Sequence, residues 1–168
     1  INGNWLYLDR PIHRPCLLER KGTVAHAFSA FVGWEVSGCE LEGLCIDGGN
    51  TSGQSLFADF TVSAIHLVRT MDARVTRCVV RHWPADGFSV QGGAGAMVTD
   101  CLAEGCLGHG FHPGTSLQHS LWTNNMGRNN GRDGLYFCMY VLHSVVSGNT
   151  FYGNGRHGIG GLVDGGDQ

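Results

Sequence analysis

The fold is decided by a three-residue pattern that occurs four times: Asp86-Gly87-Phe88, His109-Gly110-Phe111, Asp133-Gly134-Leu135 and His157-Gly158-Ile159. Successive copies are separated by a nearly constant repeat length of about 23–24 residues. Between the copies the chain has strand and turn patterns without helical periodicity, which is typical of a solenoid whose repeats each form one coil. The sequence therefore predicts an all-β fold, a parallel β-helix in which each coil has the length of one repeat.

Alternation along each coil assigns side chains to the interior or the exterior. The predicted interior positions are Phe88, Val90, Phe111, Pro113, Leu135, Phe137, Ile159 and Gly161. The residues between them form two predicted outward columns: His66, Ser89, His112, Tyr136 and Gly160, and then Val68, Gln91, Gly114 and Cys138. Ile65 lies one repeat length before Phe88, which predicts an earlier, degenerate coil.

The chain of 168 residues is predicted to be a single domain. Irregular strands are expected over residues 1–35 and regular coils over residues 36–168. Solenoids end in capping segments, and neither end of this sequence has the pattern of one. We therefore expect a segment of a longer protein. We also expect an extracellular or periplasmic location.

Composition and charge restrict the class of partner. The net charge is −3 and the sequence has no basic block, which argues against nucleic acid. No run of about 18 apolar residues is present, so no membrane span is predicted. Ten of the eleven basic residues are Arg, whose planar fork suits a carboxylate or a phosphate. The oligomeric state is left open.

Cysteine and histidine spacing predicts no metal or cofactor, with Ca²⁺ left open. Cys39 and Cys45 are not spaced as a zinc pair, and His109-x-x-His112 lacks a third ligand at a suitable distance. Cys78 and Cys101 share one repeat position, so we expect them to be neighbours with parallel side chains and no disulfide.

Turn positions repeat as well. Asn125 and Asn149 occupy one position in successive repeats, and Asn130 and Asn154 occupy another. Stacked Asn side chains of this kind are predicted to satisfy the backbone of the turns. The glycine before each inward residue predicts either an unusual backbone angle or a close approach.

The column whose side chains are best suited to catalysis contains Asp86, His109, Asp133 and His157. Stacked coils would place these residues roughly 4.8 Å apart. A carboxylate beside an imidazole raises the histidine pKa and lowers its own, which brings proton transfer close to neutral pH. Asp-Gly and His-Gly are also ordinary turn dipeptides, so the column is either a functional surface or a set of turns.

Three stretches resemble the mannuronan (alginate) C5-epimerases over about residues 95–165. They are His109-Gly-Phe-His-Pro-Gly-Thr, Asn130-Gly-Arg-Asp-Gly-Leu and Asn154-Gly-Arg-His-Gly-Ile. That family has Tyr-Gly-Phe-Asp-Pro-His, Asn-Gly-x-Asp-Gly-Phe and Asn-x-Arg-His-Gly-Phe on a right-handed parallel β-helix of the pectate-lyase-like superfamily. The resemblance implies a right-handed helix carrying a groove for an extended acidic glycan.

The resemblance places His157 on the family's catalytic histidine and Asp133 on an acidic groove residue. Three positions depart from it: His109 replaces the catalytic tyrosine, His112 an aspartate and Gly114 a second histidine. Proton abstraction next to a uronate carboxylate, of the lyase or epimerase type, is the function that we expect. It needs a base, a neutralised carboxylate and a proton donor.

The expected catalytic residues are His157 or His112 as the base, Tyr136 or His109 as the donor, and Asp133 to orient the histidines. The expected substrate-binding residues are Arg132, Arg156, Asp86, Ser89, Gln91 and His66. Two alternatives remain open: a glycoside hydrolase that uses Asp86 and Asp133, about 9.6 Å apart by stacking, and a non-catalytic module that binds glycans or acts as a spacer. Whether the protein is an enzyme is therefore left open.

Overall fold

The computed structural model describes residues 28–49 and 60–161. A short 3-10 turn, Phe60–Val62, precedes the fourth strand. The strands in chain order are β1 (Phe31–Trp34), β2 (Glu40–Glu42), β3 (Cys45–Asp47), β4 (Ile65–Met71), β5 (Arg74–Thr76), β6 (Val79–Arg81), β7 (Phe88–Ala94), β8 (Met97–Thr99), β9 (Leu102–Glu104), β10 (Phe111–Pro113), β11 (Leu121–Thr123), β12 (Met126–Arg128), β13 (Leu135–Tyr136), β14 (Val145–Ser147), β15 (Thr150–Tyr152) and β16 (Ile159–Gly160).

The strands form three parallel sheets that run the length of the described solenoid. The first sheet has six strands in the order β1-β4-β7-β10-β13-β16. The second has five strands, β14-β11-β8-β5-β2, and the third has five, β15-β12-β9-β6-β3. Each of the first five described coils contributes one strand to each sheet, the last contributes β16 to the first sheet, and every pairing is with the coil above or below. The predicted parallel β-helix is confirmed.

The register of the first sheet is the one that the repeat predicts. Phe111 pairs with Phe88 on one side and with Leu135 on the other. Ile65 pairs with Phe88, which confirms the degenerate coil. Strand β1 pairs in register with β4, so regular pairing already begins within the segment predicted to be irregular. The predictions for residues 1–27, 50–59 and 162–168 lie outside the described residues.

The predicted core is confirmed at five of its six large side chains. The buried side chains are Phe88, Val90, Phe111, Leu135 and Phe137. Phe88 and Phe111 stack with ring centroids 4.9 Å apart. The exception is Ile159, which is 45% exposed. It lies in β16, the last described strand of its sheet, which pairs with a neighbour on one side only.

The glycines of the repeat allow the coils to approach each other. A Cβ on Gly110 would lie 2.7 Å from the carbonyl oxygen of Gly134, and a Cβ on Gly134 would lie 2.7 Å from that of Gly158. Real Cβ atoms do not come so close to backbone. Close approach is therefore the reason for glycine at these positions, and the neighbouring coil is what approaches.

The Asn side chains serve the turns as predicted. Asn125 Oδ1 accepts from the backbone N–H of Cys101 at 3.0 Å, and Asn125 Nδ2 donates to the carbonyl of Val98 at 2.8 Å. Asn130 makes the corresponding pair of bonds to Cys106 and Ala103. These amides satisfy buried backbone groups where the coil leaves a strand.

The cysteines of the described coils are all free thiols. Cys78 and Cys101 are neighbours in the core, where the backbone N–H of Cys78 donates to the Cys101 sulfur at 3.4 Å. This confirms the prediction that they stack without a disulfide. Burial raises the pKa of the Cys101 thiol to about 12, so it behaves as a small apolar side chain.

Candidate functional site

The aspartates of the Asp/His column each cap the turn of the next coil. Asp86 Oδ1 accepts from the backbone N–H of His109 at 2.7 Å. Asp133 Oδ1 accepts from the backbone N–H of His157 at 3.0 Å. The column is thus structural in its backbone contacts. The carboxylate oxygens also contact histidine rings, and these contacts provide the chemistry of the site.

Asp133 lies between two histidine rings. His157 Nδ1 lies 2.8 Å from Asp133 Oδ1, and His109 Nδ1 lies 3.0 Å from Asp133 Oδ2. The Asp133 side chain is 2% exposed, whereas that of His157 is 71% exposed. The carboxylate therefore orients the His157 ring through Nδ1 and leaves most of the ring in contact with solvent.

The His109 ring has two possible partners at the same nitrogen. Its Nδ1 lies 3.3 Å from the backbone nitrogen of Asp133, in addition to the 3.0 Å contact with Oδ2. The backbone N–H of Asp133 donates to His109 Nδ1, so this nitrogen is an acceptor and the proton of the neutral ring is on Nε2. Burial lowers the pKa of His109 below its usual value despite the charges of Asp86 and Asp133. His109 is therefore an uncharged imidazole at neutral pH.

A second network joins three side chains from successive coils: Asp86, His112 and Cys138. His112 Nδ1 lies 2.7 Å from Asp86 Oδ2, and both side chains are buried. The backbone N–H of Cys138 donates to the carbonyl of Pro113 at 3.0 Å, which places the Cys138 thiol in the cleft that His112 also lines. The Thr115 hydroxyl lies 3.0 Å from the same sulfur and can donate to it as a thiolate. Cys138 is half-buried.

The charges in this network stabilise each other. Burial disfavours the charged form of His112, but the hydrogen bonds with Asp86 and Cys138 outweigh it and raise the pKa of His112 to about 9. Burial likewise works to raise the pKa of Asp86, yet the hydrogen bond and charge of His112 lower it below its usual value. The hydrogen bond with His112 lowers the pKa of Cys138 to about 7, against the effect of burial.

These residues surround one open cleft of about 250 Å³. The side chains that line it are Asp86, His109, His112, Arg132, Tyr136, Cys138 and Arg156. The Tyr136 ring stacks on His109 with centroids 4.4 Å apart and meets His112 edge-on at 5.3 Å. The cleft therefore combines an aromatic face, two guanidinium groups and a thiol.

The two arginines of the cleft differ from the other arginines of the described coils. The others form ion pairs across neighbouring coils: Arg69 with Glu35, Arg74 with Glu40, Arg77 with Glu42, and Arg81 and Arg128 with Glu104. Arg132 and Arg156 form no ion pair with any carboxylate in residues 28–49 and 60–161. Two guanidinium groups without a carboxylate partner at an open cleft suit an anionic ligand.

Six of the eleven residues predicted from the sequence line the cleft: Asp86, His109, His112, Arg132, Tyr136 and Arg156. His157 directly follows Arg156 but does not line the cleft, and Asp133 is buried behind it.

Three predicted substrate-binding residues do not face solvent. Gln91 Nε2 donates to Ser89 Oγ at 2.8 Å, and Gln91 Oε1 accepts from the backbone N–H of Thr115 at 3.2 Å. Both side chains are buried by these contacts, and His66 is buried as well. The outward columns that we predicted are therefore closed to solvent at His66, Ser89 and Gln91, and these residues do not line the cleft.

Two predicted roles change with the charge states. His112 holds its proton at neutral pH, which suits an acid better than the base that we expected. His109 is uncharged and buried, which does not suit the donor that we expected.

Sequence reasoning missed Cys138 and Thr115. Cys138 was placed correctly in an outward column, and the Tyr136-x-Cys138 spacing puts both on one face of the strand. The signal that could have found it is a cysteine at an outward position one coil beyond a histidine, since a thiol there can reach the imidazole.

In the part of the chain that the structure describes, no three or more His, Cys, Asp or Glu side chains are grouped to hold a metal ion. Nor does any helix of these residues have the length and apolarity needed to cross a membrane.

The comparisons with known proteins agree with the fold. A search of curated proteins and a search of solved structures gave no match. The family model described as a right handed beta helix region matches residues 63–166. The match covers more than half of the chain and includes every residue that lines the cleft. The chain belongs to the right-handed β-helix family.

Proposed function

We propose that the protein acts on an acidic polysaccharide by abstracting a proton next to a uronate carboxylate. The observation that carries this proposal is the pair Arg132 and Arg156, which line an open cleft beside Tyr136 without forming ion pairs in the described coils. Because the coils stack along one axis, such a cleft would bind an extended anionic chain along them.

Arg132 and Arg156 occupy the same position in successive coils, and the backbone N–H of Arg156 donates to the carbonyl of Arg132 at 3.1 Å. Two guanidinium groups at this spacing can bind a single carboxylate together, or they can bind two successive carboxylates of a polysaccharide. Neutralising the carboxylate stabilises the charge that develops when the neighbouring C–H loses its proton.

His157 is the base in this proposal and Tyr136 the donor. Asp133 accepts from His157 Nδ1, which leaves Nε2 as the unprotonated nitrogen that takes the substrate proton. Tyr136 is half-buried and lines the cleft, so its phenol can return a proton to the opposite face of the sugar or to a leaving oxygen. The first outcome is epimerisation and the second is elimination.

The hydrolase alternative is less well supported. A glycoside hydrolase needs two carboxyl groups that reach the glycosidic oxygen and a water. Asp86 and Asp133 are both buried, and each already binds a backbone N–H and a histidine ring. Asp133 does not line the cleft, and Asp86 lines it with both carboxylate oxygens already engaged.

The test is incubation with a panel of uronate polysaccharides in D₂O. Proton NMR detects exchange or inversion at the carbon next to the carboxylate, and ultraviolet absorbance detects an unsaturated uronate. We expect one of these signals, and we expect His157→Ala to lower its rate by about 100-fold or more, the usual scale for a general base. His143→Asn is the matched control, because His143 is exposed and stacks only on His119 outside the cleft.

Binding of a polysaccharide without exchange or elimination would contradict the enzymatic proposal and favour a glycan-binding module. New reducing ends without an unsaturated product would instead favour a hydrolase. Unfolding of His157→Ala would show that the ring is structural, and circular dichroism distinguishes that result from lost chemistry.

A further inference from the structure

The proton-abstraction proposal makes no use of Cys138, although the Thr115 hydroxyl lies 3.0 Å from this thiol at the cleft. Cys138 lies two residues after the end of β13 and lines the cleft. His112, one coil away in β10, lines the same cleft, and Asp86, two coils away, lies 2.7 Å from His112 Nδ1. Three successive coils thus supply an acid, an imidazole and a thiol in a connected row.

Each contact fixes the next. Asp86 is held by the backbone N–H of His109 at 2.7 Å, so its second oxygen is directed at His112 Nδ1. Because Nδ1–H donates to the carboxylate, Nε2 is the ring nitrogen left for the thiol. A nucleophile within reach of a base, with the base oriented by a third group, is the arrangement that activates a thiol.

The other cysteines show that this environment is particular to Cys138. Cys101 and Cys106 lie in the core, where burial raises the pKa of each thiol to about 12. Cys45 is exposed and has no hydrogen bond to a His or Thr side chain among the described residues. Only a thiolate attacks efficiently, so Cys138 is the one expected to react near neutral pH.

We propose that Asp86, His112 and Cys138 form a nucleophilic triad that accepts an acyl group from an ester carried by an anionic molecule. The anionic character of the substrate follows from Arg132 and Arg156, which line the same cleft. This activity goes beyond proton abstraction, because it uses a different nucleophile and breaks a different bond.

The reaction balances without an oxidant or a reductant. The Cys138 thiolate attacks the ester carbonyl carbon, and Arg132, Arg156 and the Tyr136 hydroxyl are the donors available to the oxyanion. When the C–O bond breaks, the alkoxide takes the proton of the His112 imidazolium and a thioester remains. Neutral His112 then takes a proton from water, which attacks the thioester and releases a carboxylic acid and the thiolate.

Two probes test the triad: p-nitrophenyl acetate, which is neutral, and the mono-p-nitrophenyl ester of succinate, which is anionic. We expect release of p-nitrophenol with one acyl group on Cys138, identified by peptide mass spectrometry after acid quenching. Cys138→Ser should abolish the thioester, and His112→Gln should slow its formation by about 100-fold. Arg132→Gln should reduce the preference for the anionic probe.

Iodoacetamide alkylation gives an independent readout of the thiolate. The rate at Cys138 should rise with pH around a midpoint near 7, and His112→Gln should move that midpoint upward. The other ionisable groups facing the thiol across the cleft are His109, Arg132, Tyr136 and Arg156, and they remain in this variant. Cys45 in the same sample is the internal control for an exposed thiol.

An acyl group on Cys138 that depends on His112 would support the triad. Alkylation of Cys138 with the pH profile of Cys45 would overturn it, and so would fast alkylation without any thioester. If His112→Gln fails to fold, Asp86→Asn and the pH profile of the wild-type thiol still decide the question. Uronate proton exchange is a separate signal, so either proposal can fail without the other.

Discussion

At the scale of single residues, the two aspartates of the column hold their histidines in different ways. The Asp86 carboxylate binds the ring of His112, which lies in strand β10, three residues after the column member His109. The position corresponding to His112 beside Asp133 is Gly160, where a Cβ would lie 2.6 Å from the carboxylate. Asp133 therefore binds the ring of its own column neighbour, His157. The presence of His112 in one repeat and Gly160 in the other thus leaves Asp86 with a buried histidine, His112, and Asp133 with an exposed one, His157.

Asp86→Asn should destabilise the protein by about 3–5 kcal/mol at pH 7, because it leaves the buried imidazolium of His112 without its carboxylate. The amide oxygen can still accept from the His109 N–H, so the turn keeps its cap. Urea unfolding of both proteins at pH 7 measures the difference.

The difference should shrink in acid. The pKa of Asp86 is lowered in the folded protein from 3.8, so the unfolded chain binds this proton first as the pH falls. The stabilisation from Asp86 is complete above the unfolded value and is lost as the pH falls through the folded value. An equal difference at pH 7 and at a pH well below 3.8 would mean that the carboxylate charge is not the cause.

The sequence predicted which residues of the site lie in one column, but not which side chains touch across columns. Asp86 and His109 share a repeat position, so their adjacency follows from the period alone. The contact between His112 and Cys138 is diagonal, since the two belong to different columns in successive coils. Such a contact depends on side-chain rotamers, which the repeat does not determine.

At the scale of the structural elements, the strands are too short to fix the coil without the turns between them. Strands β8, β9, β11 and β12 have three residues each. One turn position is occupied by His82, Gly105, Asn129 and Gly153, with φ of 48°, 64°, 54° and 66°. Gly and Asn adopt this left-handed conformation most readily, which explains their recurrence.

Asn125→Ala should cost about 1–3 kcal/mol for each buried partner that it leaves unsatisfied, the N–H of Cys101 and the carbonyl of Val98. Thermal and urea unfolding measure the loss. Asn149→Ala is the matched comparison: it removes the same pair of bonds one coil later, where the side chain is half-buried. Water can replace those bonds, so the cost should be smaller. Equal costs would contradict burial as the cause.

The period predicted strand positions and register well because a one-residue slip would turn every core side chain outward. It did not predict the burial of Ser89 and Gln91, whose side chains face away from the core. Their side chains hydrogen-bond to each other and to the backbone of the next coil, and both are buried. Alternation specifies a side of the sheet, whereas exposure depends on what lies over that side.

At the scale of the whole molecule, each coil contacts only its two neighbours, so the environment of a repeat position changes along the axis. Leu135 and Ile159 occupy the same position one coil apart and are paired in register. Leu135 is 0% exposed and Ile159 is 45% exposed. The described solenoid therefore ends at β16 with a half-exposed apolar side chain, whereas the same position one coil earlier is fully buried.

The difference in burial between Leu135 and Ile159 tests whether packing between neighbouring coils determines stability. Leu135→Ala should cost roughly 2–5 kcal/mol, because it leaves a cavity between two packed coils. Ile159→Ala removes a similar number of methyl groups from a half-covered site, so its cost should fall well below that of Leu135→Ala. Urea unfolding of the two variants in parallel gives the ratio. A cost for Ile159→Ala as large as that for Leu135→Ala would mean that this side chain is fully packed in solution, so that a further layer of protein covers β16.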